Sequence, residues 1–507
     1  MKKAYLFSAL AGLSWALSAA PRDFPPIGFL GAPLLLIAIE VAQKANARAR
    51  SIFAVGLLSG FACNAVVLGW IVGLLQTFGH FPLIAALPVG SLLWLAQGLP
   101  FAFAALGTHY LSRFNIPAWI SLPATITIAT AITPALFPWH IATSQLPFTV
   151  YVQLADVGGT PLLDVLLALT GCAAWEAFRT RSKRVALIAL VSLAVPVVYG
   201  AVRLPLMTME RNASRLTRVG VVQPNVGIDE KHDPRLAWEQ VERLHSMTRH
   251  LEENLANIVV WPETAYPYAL RHDARHISRG VDSPLPEGMR VPLLFGTITQ
   301  DHDRVYNSAM AVEPDGDVLG VSDKVQLLAF GEYVPLWDFL PPLRHYFPRR
   351  GISPGHAPRV LAIGDLRIGV LNCYEDVLDM YARRVAQHDP DYLVNVTNDA
   401  WFGDTAEPYL HNSVARFRAI ETRRDLVRAV NTGVSSHIAS TGEVLYATET
   451  WRQTSFIADV RTSHTVTLWM RFGDVTTPAL AAFLIAWAMR ERRRTRLQDL
   501  AAKTKQS

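Results

Sequence analysis

Three residues of the types that carry out acyl transfer each follow a short run of mostly apolar residues in the second half of the chain. Glu263 follows residues 258–262, Lys324 follows residues 318–323, and Cys373 follows residues 367–372. A thiol supplies a nucleophile, a carboxylate a general base, and an ammonium a fixed positive charge. Each residue alone is more often a surface charge or a structural cysteine. Together they predict covalent acyl transfer.

Other catalytic patterns are weak or missing. Residues 351–355 match the G-x-S-x-G elbow of serine hydrolases, but Pro354 follows the serine and has no N–H for an oxyanion. The sequence contains no H-E-x-x-H, no Cys/His zinc spacing and no phosphate-binding P-loop. We therefore expect no metal and no cofactor.

The elements that must position these residues are short strands and helices. Asp315-Gly316 and Thr441-Gly442 are hairpin turn signals. Helical patterns cover 234–254, 376–387 and 409–424. Strand patterns cover 218–223, 258–261, 291–299, 305–312, 318–322, 360–363, 367–372, 392–397, 426–431, 436–440 and 444–448. This mixture predicts a layered α/β domain with mixed sheets.

The first half of the chain is different in character. The whole chain of 507 residues is 51% hydrophobic and only 18% charged, and residues 52–75, 83–108 and 116–139 carry no charge at all. A helix of roughly 20 apolar residues crosses the hydrocarbon core of a bilayer. Further apolar runs cover 4–21, 24–39, 162–178, 185–202 and 475–489. The pattern predicts a multi-pass α-helical membrane bundle.

Four segments follow from this division. We expect a membrane domain of about seven transmembrane helices at 1–210, an outer catalytic domain at 215–465, a C-terminal transmembrane helix at 466–490 and a basic cytoplasmic tail at 491–507. Lys and Arg cluster in alternate loops, which the positive-inside rule places in the cytoplasm. The net charge of +5 therefore reflects topology, and no nucleic-acid partner is expected. Residues 1–20 also resemble a signal peptide, whose cleavage would leave the outer domain on the same side.

Five motifs occur in order and resemble the nitrilase superfamily, most closely its apolipoprotein N-acyltransferases of bacterial membranes. The resemblance covers nearly the whole chain and implies an α/β nitrilase-like αββα sandwich. The motifs are Trp261-Pro262-Glu263, Asp323-Lys324, Phe330-Gly331-Glu332-Tyr333-Val334-Pro335, Asn372-Cys373-Tyr374-Glu375 and Asn398-Asp399-Ala400-Trp401-Phe402.

The resemblance implies a role for each matching residue. Glu263 is then the general base, Lys324 the electrostatic residue and Cys373 the nucleophile. Supporting or substrate-binding positions are Glu332, Tyr374, Glu375 and Trp401. One departure is His232, which occupies a position where the family usually has tryptophan, and this puts a local substrate contact in question.

The implied substrates are lipids. The family uses a phospholipid as acyl donor and the α-amino group of an S-diacylglyceryl cysteine on an apolipoprotein as acceptor. We expect a monomer in the bacterial inner membrane with its catalytic domain on the periplasmic side. Between residues 332 and 351, large apolar and Arg side chains predict a loop that dips into the bilayer.

Two other functions stay open on the residues alone. A membrane-tethered nitrilase-type amidase would use water in place of the amine and would need no lipid-facing loop. A transporter with an outer domain would need functional charges inside the spans, for which Asp164 and Glu176 are the candidates.

Overall fold

A computed structural model describes residues 1–335, 337 and 351–504 of the chain. The expected bilayer-facing loop lies outside the described residues, apart from its first residues and residue 337. The chain forms two compact units. One comprises residues 1–203 and 472–507, and the other comprises residues 204–471.

The described residues of the first unit form helices joined by loops and contain no strand. Its longer helices are apolar and pack through small residues; a Cβ on Gly60 would lie 2.5 Å from the Cα of Gly98. The helices are α1 (Lys2–Ser18), α2 (Pro25–Gly28), α3 (Gly31–Lys44), α4 (Ala49–Val67), α5 (Ile71–Thr77), α6 (Leu83–Leu111), α7 (Ala118–Ile132), α8 (Thr149–Val152), α9 (Ala155–Thr180) and α10 (Lys183–Ala213), with α16 (Thr476–Thr504) near the C-terminus.

Five helical segments in the described chain are long and apolar enough to cross a membrane by length and composition: Pro25–Lys44, Ala49–Val67, Leu83–Phe114, Ala155–Thr180 and Lys183–Ala213. A sixth apolar helix, α7, is shorter. Only 17% of the apolar window of α10 is buried, and Leu190 and Val198 are each 61% exposed. Side chains this apolar are stable at such exposure when their surroundings are hydrocarbon.

The charged residues inside α9 have local partners. Asp164 accepts from the ring of His140 at 2.6 Å and from the main-chain N–H of Ala142 at 2.8 Å. Glu176 pairs with Arg179 one turn away at 2.6 Å. Charges that are satisfied within the helix bundle in this way serve its packing, and these contacts give the transporter hypothesis no support.

The second unit contains two sheets. The first has the order β13-β1-β2-β4-β5-β6 with β3 paired to β4, and the second has the order β12-β11-β10-β9-β8-β7. The strands are β1 (Leu216–Gln223), β2 (Ile258–Val260), β3 (Leu270–Arg271), β4 (Leu293–Asp301), β5 (Arg304–Val312), β6 (Val318–Asp323), β7 (Val360–Ile363), β8 (Leu366–Asn372), β9 (Tyr392–Thr397), β10 (Leu426–Val430), β11 (Ser436–Ile438), β12 (Val444–Ala447) and β13 (Thr454–Arg461).

The two sheets pack face to face. Val221, Val260 and Leu294 of the first sheet share one buried cluster with Val370 and Val394 of the second. A strand that is buried on both faces has apolar residues at every position, which explains the Ile-Val-Val sequence of β2.

Helices cover the outer faces of both sheets. Helix α12 (Ala237–Glu253) packs on the first sheet through Leu244 and Leu251. Helices α13 (Asp379–Ala386) and α14 (Glu407–Thr422) pack on the second through Tyr381, Val385 and Ala419. Two short helices, α11 (Ile228–Lys231) and α15 (Leu468–Phe472), complete the unit within the described residues. The layers form the αββα sandwich that the resemblance implies.

Candidate active site

Glu263 lies in a turn directly after β2. The main chain of this turn is confined, because a Cβ on Gly296 of β4 would lie 2.4 Å from the carbonyl oxygen of Pro262 and 2.5 Å from the Cα of Glu263. The next residue, Thr264, has a left-handed φ of +46°. The carboxylate is buried, with 6% of the residue exposed, so it needs polar partners.

Lys324 follows β6 and supplies one of those partners. Its Nζ lies 3.2 Å from Oε1 of Glu263 and 2.8 Å from Oε1 of Glu332. Asn307 of β5 donates to the same two oxygens, at 2.6 Å and 3.2 Å. The other oxygen of Glu332 accepts from the main-chain N–H of Leu328 at 2.9 Å. Two carboxylates thus share one buried ammonium and one amide.

Cys373 follows β8 at the start of a 3-10 helix, Cys373–Asp376. Its φ of +49° is left-handed, which is uncommon for a residue with a Cβ and turns the chain sharply at the strand end. The side-chain amide of Asn395 donates to the carbonyl of Cys373 at 3.1 Å. The thiol is half-buried, so the turn presents it at the edge of the sheet.

Glu375 connects the turn at Cys373 to the segment that carries Lys324. Its buried carboxylate accepts from the main-chain N–H groups of Val325 at 2.7 Å, Gln326 at 2.9 Å and Asn372 at 2.9 Å. Burial raises the pKa of Glu375 to about 7, although the three hydrogen bonds act in the opposite direction and lower it. The side chain therefore fixes Lys324 and Cys373 relative to each other.

The charges of the site act on one another. Burial would lower the pKa of Lys324, but negative charge on Cys373, Glu263 and Glu332 raises it well above its ordinary value. Burial and the charge of Glu263 raise the pKa of the Cys373 thiol well above its ordinary value, and Lys324 opposes this shift. The resting site therefore holds a charged lysine and a protonated thiol, which needs a base to become a nucleophile.

A buried ion network lies behind the nucleophile turn. His411 of α14 contacts Oδ1 of Asp376 at 2.7 Å and Oδ1 of Asp399 at 3.1 Å, and Arg428 of β10 lies 3.3 Å from Asp376. Burial would lower the pKa of His411, but the charge of Asp376 raises it to about 10. The imidazolium thus ties the turn of Cys373 to the turn that begins at Asp399.

The ligand atoms of Asp399, Glu407 and His411 lie within 4.8 Å of one another, a spacing that a metal ion would accept. Both ring nitrogens of His411 already contact carboxylates, and Arg428 adds a second positive charge. We therefore describe this group as an ion-pair network.

The remaining sequence-predicted residues are Tyr374 and Trp401. Tyr374 follows Cys373, and burial raises its pKa to about 12. Trp401 is 39% exposed within the 3-10 helix Asp399–Phe402, and its ring lies 6.1 Å from the ring of His232. His232 therefore does lie beside the predicted substrate-contacting residue.

Several site residues were not predicted from the sequence. Asn307 contacts both carboxylates, and Lys231 donates from Nζ to the carbonyl oxygen of Glu263 at 3.3 Å. Asn307 is one polar residue in an otherwise ordinary strand, and no local pattern distinguishes it. Lys231 stands directly before His232, so the departure at that position was the available signal.

The chain is similar to known proteins along nearly its whole length. Residues 218–468 match the carbon-nitrogen hydrolase family, and residues 11–173 match the apolipoprotein N-acyltransferase N-terminal domain. The apolipoprotein N-acyltransferase of Geobacter metallireducens is 32% identical over 95% of this chain and 94% of its own length. That of Azotobacter vinelandii is 30% identical over 97% and 96%.

Solved structures resemble about half of the chain, and only loosely. An amidase from Nesterenkonia sp. matches 48% of this chain and 90% of its own, with 18% identity and a TM-score of 0.34.

Residues 218–468 thus form a carbon-nitrogen hydrolase domain. With a relative at 32% identity along nearly its whole length, the chain belongs to the apolipoprotein N-acyltransferase family. It is an acyltransferase, and its long apolar helices make it a membrane protein. The family and fold class expected from the sequence are both confirmed.

Proposed function

We propose that this protein transfers an acyl chain from a membrane phospholipid to the N-terminal α-amino group of an S-diacylglyceryl-cysteine apolipoprotein. The observation that carries the proposal is the shared ammonium of Lys324, 3.2 Å from Glu263 and 2.8 Å from Glu332, beside the thiol turn at Cys373. Family membership supports the identity of donor and acceptor.

The first half-reaction forms a thioester. Glu263 takes the proton from Sγ of Cys373, the sulfur bonds to the ester carbonyl carbon, and Lys324 stabilises the oxyanion with the main-chain N–H of Tyr374. One such donor is typically worth about 3–4 kcal/mol. As the carbon–oxygen ester bond breaks, Glu263 returns the proton to the leaving lysophospholipid oxygen.

The second half-reaction consumes the thioester. The neutral α-amine bonds to the carbonyl carbon, and Glu263 removes its proton. The carbon–sulfur bond then breaks, and the proton returns to Cys373. Glu332 acts by holding Lys324, and Glu375 by holding both turns, since its buried carboxylate accepts three main-chain hydrogen bonds.

The topology proposed for this activity follows the charge pattern. Basic loops lie in the cytoplasm, residues 215–465 lie on the periplasmic side of the inner membrane, and one further helix returns the basic tail to the cytoplasm. The domain limits of 1–210, 215–465, 466–490 and 491–507 are part of the proposal, as is a monomeric state.

The test is a reconstituted reaction with acyl-labelled phospholipid and a diacylglyceryl-cysteine peptide. We expect the labelled acyl chain on the peptide α-amine by mass spectrometry. A peptide with an acetylated α-amine is the matched control and should receive no label. Release of free fatty acid alone, or ammonia from small amides with no acyl transfer, would favour the amidase instead.

A further inference from the structure

A second lysine reaches the site from a short helix. Lys231 is the last residue of α11, and its Nζ donates to the main-chain carbonyl of Glu263 at 3.3 Å. Its side chain is half-buried. Within residues 1–335, 337 and 351–504, Lys231 forms no ion pair with a carboxylate, so the ammonium is directed to the site and not to a surface acid.

Contacts with α12 hold helix α11 in place, and they restrict where the side chain of Lys231 can reach. The side-chain amide of Gln240 in α12 donates to the carbonyl of Glu230 at 2.7 Å. Arg243, also in α12, pairs with the carboxylate of Glu230 at 2.7 Å. Two contacts therefore fix Glu230, the residue next to Lys231, and they also fix the main-chain position from which the Lys231 side chain extends.

The contact falls on a turn whose position is critical. The turn of Glu263 is bounded on one side by Gly296, and Thr264 has a left-handed φ of +46°. Asn307 and Lys324 hold the carboxylate of Glu263, but they do not hold its main chain. Lys231 supplies a donor to the carbonyl of that residue.

We propose that Lys231 is a positioning residue of the active site, which holds the main chain of Glu263 and places a second positive charge beside the Glu263–Cys373 pair. The inference rests on the proposed function, since it concerns the same base and nucleophile. It adds a residue to the site that none of the five sequence motifs contains.

The charge of Lys231 depends on pH in an accessible range. Burial lowers the pKa of Lys231 to about 8, while negative charge on Glu263 and Cys373 opposes that shift. The other charged or titratable groups nearby are Glu230 of α11 with its partner Arg243 of α12, the neighbouring His232, and Lys324 with Glu332 at the carboxylate of Glu263. Below about 8 the lysine is charged and favours the thiolate; above it the lysine is neutral and this help is lost.

The test is the rate of alkylation of Cys373 by iodoacetamide in the full-length protein, which requires no acyl transfer. At about pH 7 we expect Lys231→Met to slow alkylation about tenfold. At about pH 9.5 the difference between the wild type and Lys231→Met should be smaller, because the wild-type lysine has lost its charge and keeps only its hydrogen bond to Glu263. Lys231→Arg stays charged and should exceed both at the higher pH.

Arg235→Met is the matched control, because Arg235 is exposed, lies in the same segment and pairs only with Asp233 in the described structure. It should leave alkylation unchanged at both pH values.

A wild-type rate in Lys231→Met at the lower pH, or an equal loss in Arg235→Met, would overturn the proposal. So would failure of both Lys231→Met and Lys231→Gln to fold, since the lysine would then be structural. Wild-type protein that is alkylated as expected but transfers no acyl chain would count against the proposed function alone.

Discussion

Two carboxylates at the site depend on a single buried cation. Lys324 is 2% exposed and lies within 3.2 Å of both Glu263 and Glu332. Removing one partner of a buried ion pair leaves an uncompensated charge, at a cost of about 3–5 kcal/mol. Here the loss would also leave two buried carboxylates facing each other with no cation between them, and like charges in contact repel.

Lys324→Met should therefore reduce acyl transfer by at least about a hundredfold, through loss of oxyanion stabilisation and of the charged base. The measurement is the single-turnover rate of thioester formation with excess phospholipid. Arg452→Met removes an exposed cation paired with Glu449 and should change the rate little. Retention of more than about a tenth of the wild-type rate by Lys324→Met would contradict the role proposed for Lys324.

For single residues, the sequence indicated the candidate catalytic side chains but not the side chains that position them. Glu263, Lys324, Cys373 and Glu375 lie in compact motifs, so a short window of sequence was sufficient to find them. Asn307 acquires its role only because β5 lies beside β6 and the turn of Glu263 in three dimensions. A local pattern contains no information on such a pairing.

The turns that follow β2 and β8 set the positions of the Glu263 carboxylate and the Cys373 thiol. The turn of Glu263 passes so close to β4 that only glycine fits at position 296, where a Cβ would lie 2.5 Å from the Cα of Glu263. The turn of Cys373 is left-handed and is held by Glu375 and Asn395. Both turns follow parallel strands at the edge where catalytic groups tend to be presented.

Gly296→Ala should displace Glu263 and lower the free energy of unfolding by about 1–3 kcal/mol, the usual cost of overpacking a core. Thermal or urea unfolding measures the stability, and thioester formation should slow in parallel. Gly280→Ala is the control, since a Cβ there meets nothing within 4 Å. Equal unfolding free energies and equal rates of thioester formation in the two variants would contradict the prediction, because the Glu263 turn would then tolerate a side chain at position 296.

The network around His411 predicts a pH dependence of stability. Its pKa of about 10 in the folded protein exceeds the unfolded value of about 6.5, so the stabilisation is complete below about pH 6.5 and is lost as pH rises through about 10. His411→Gln should remove this alkaline decline and destabilise the protein by about 3–5 kcal/mol at neutral pH. Unfolding free energies measured across that pH range check both effects. A His411→Gln protein with an undiminished alkaline decline would assign it to another group.

Most elements were predictable because each strand is a short apolar run that ends in a turn signal. Two strands were missed. Strand β13 pairs antiparallel with β1 over eight residues, although more than two hundred residues separate them, and β3 is only two residues long. Helix α10 also continues to Ala213, past the Arg203 that ended the apolar run, and Arg203 pairs with Asp156 at 3.0 Å.

The whole chain divides into an apolar helical unit and a sandwich of ordinary polarity. This division was predictable, because composition changes abruptly near residue 215. Eight apolar runs were expected to be spans, and five helical segments in the described chain meet the length and composition for one. The number of spans stays a prediction.

Reporter insertions test the orientation of these parts. Alkaline phosphatase is active only outside the cytoplasm, so we expect activity when it is inserted after Gly280 and none when it is fused after the basic tail. Replacing the five arginines between residues 490 and 496 by glutamine should weaken this preference. Activity at the tail of the unmodified protein would place the catalytic domain in the cytoplasm and contradict the proposed topology.

The most direct test of the account is intact-protein mass spectrometry after incubation with phospholipid in the absence of acceptor. The account predicts one added acyl chain, located on Cys373, released by hydroxylamine as a thioester is, and absent in Cys373→Ala. It also predicts much slower formation in Glu263→Gln. An acyl chain on another residue, or complete turnover of acyl transfer by Cys373→Ala, would contradict it.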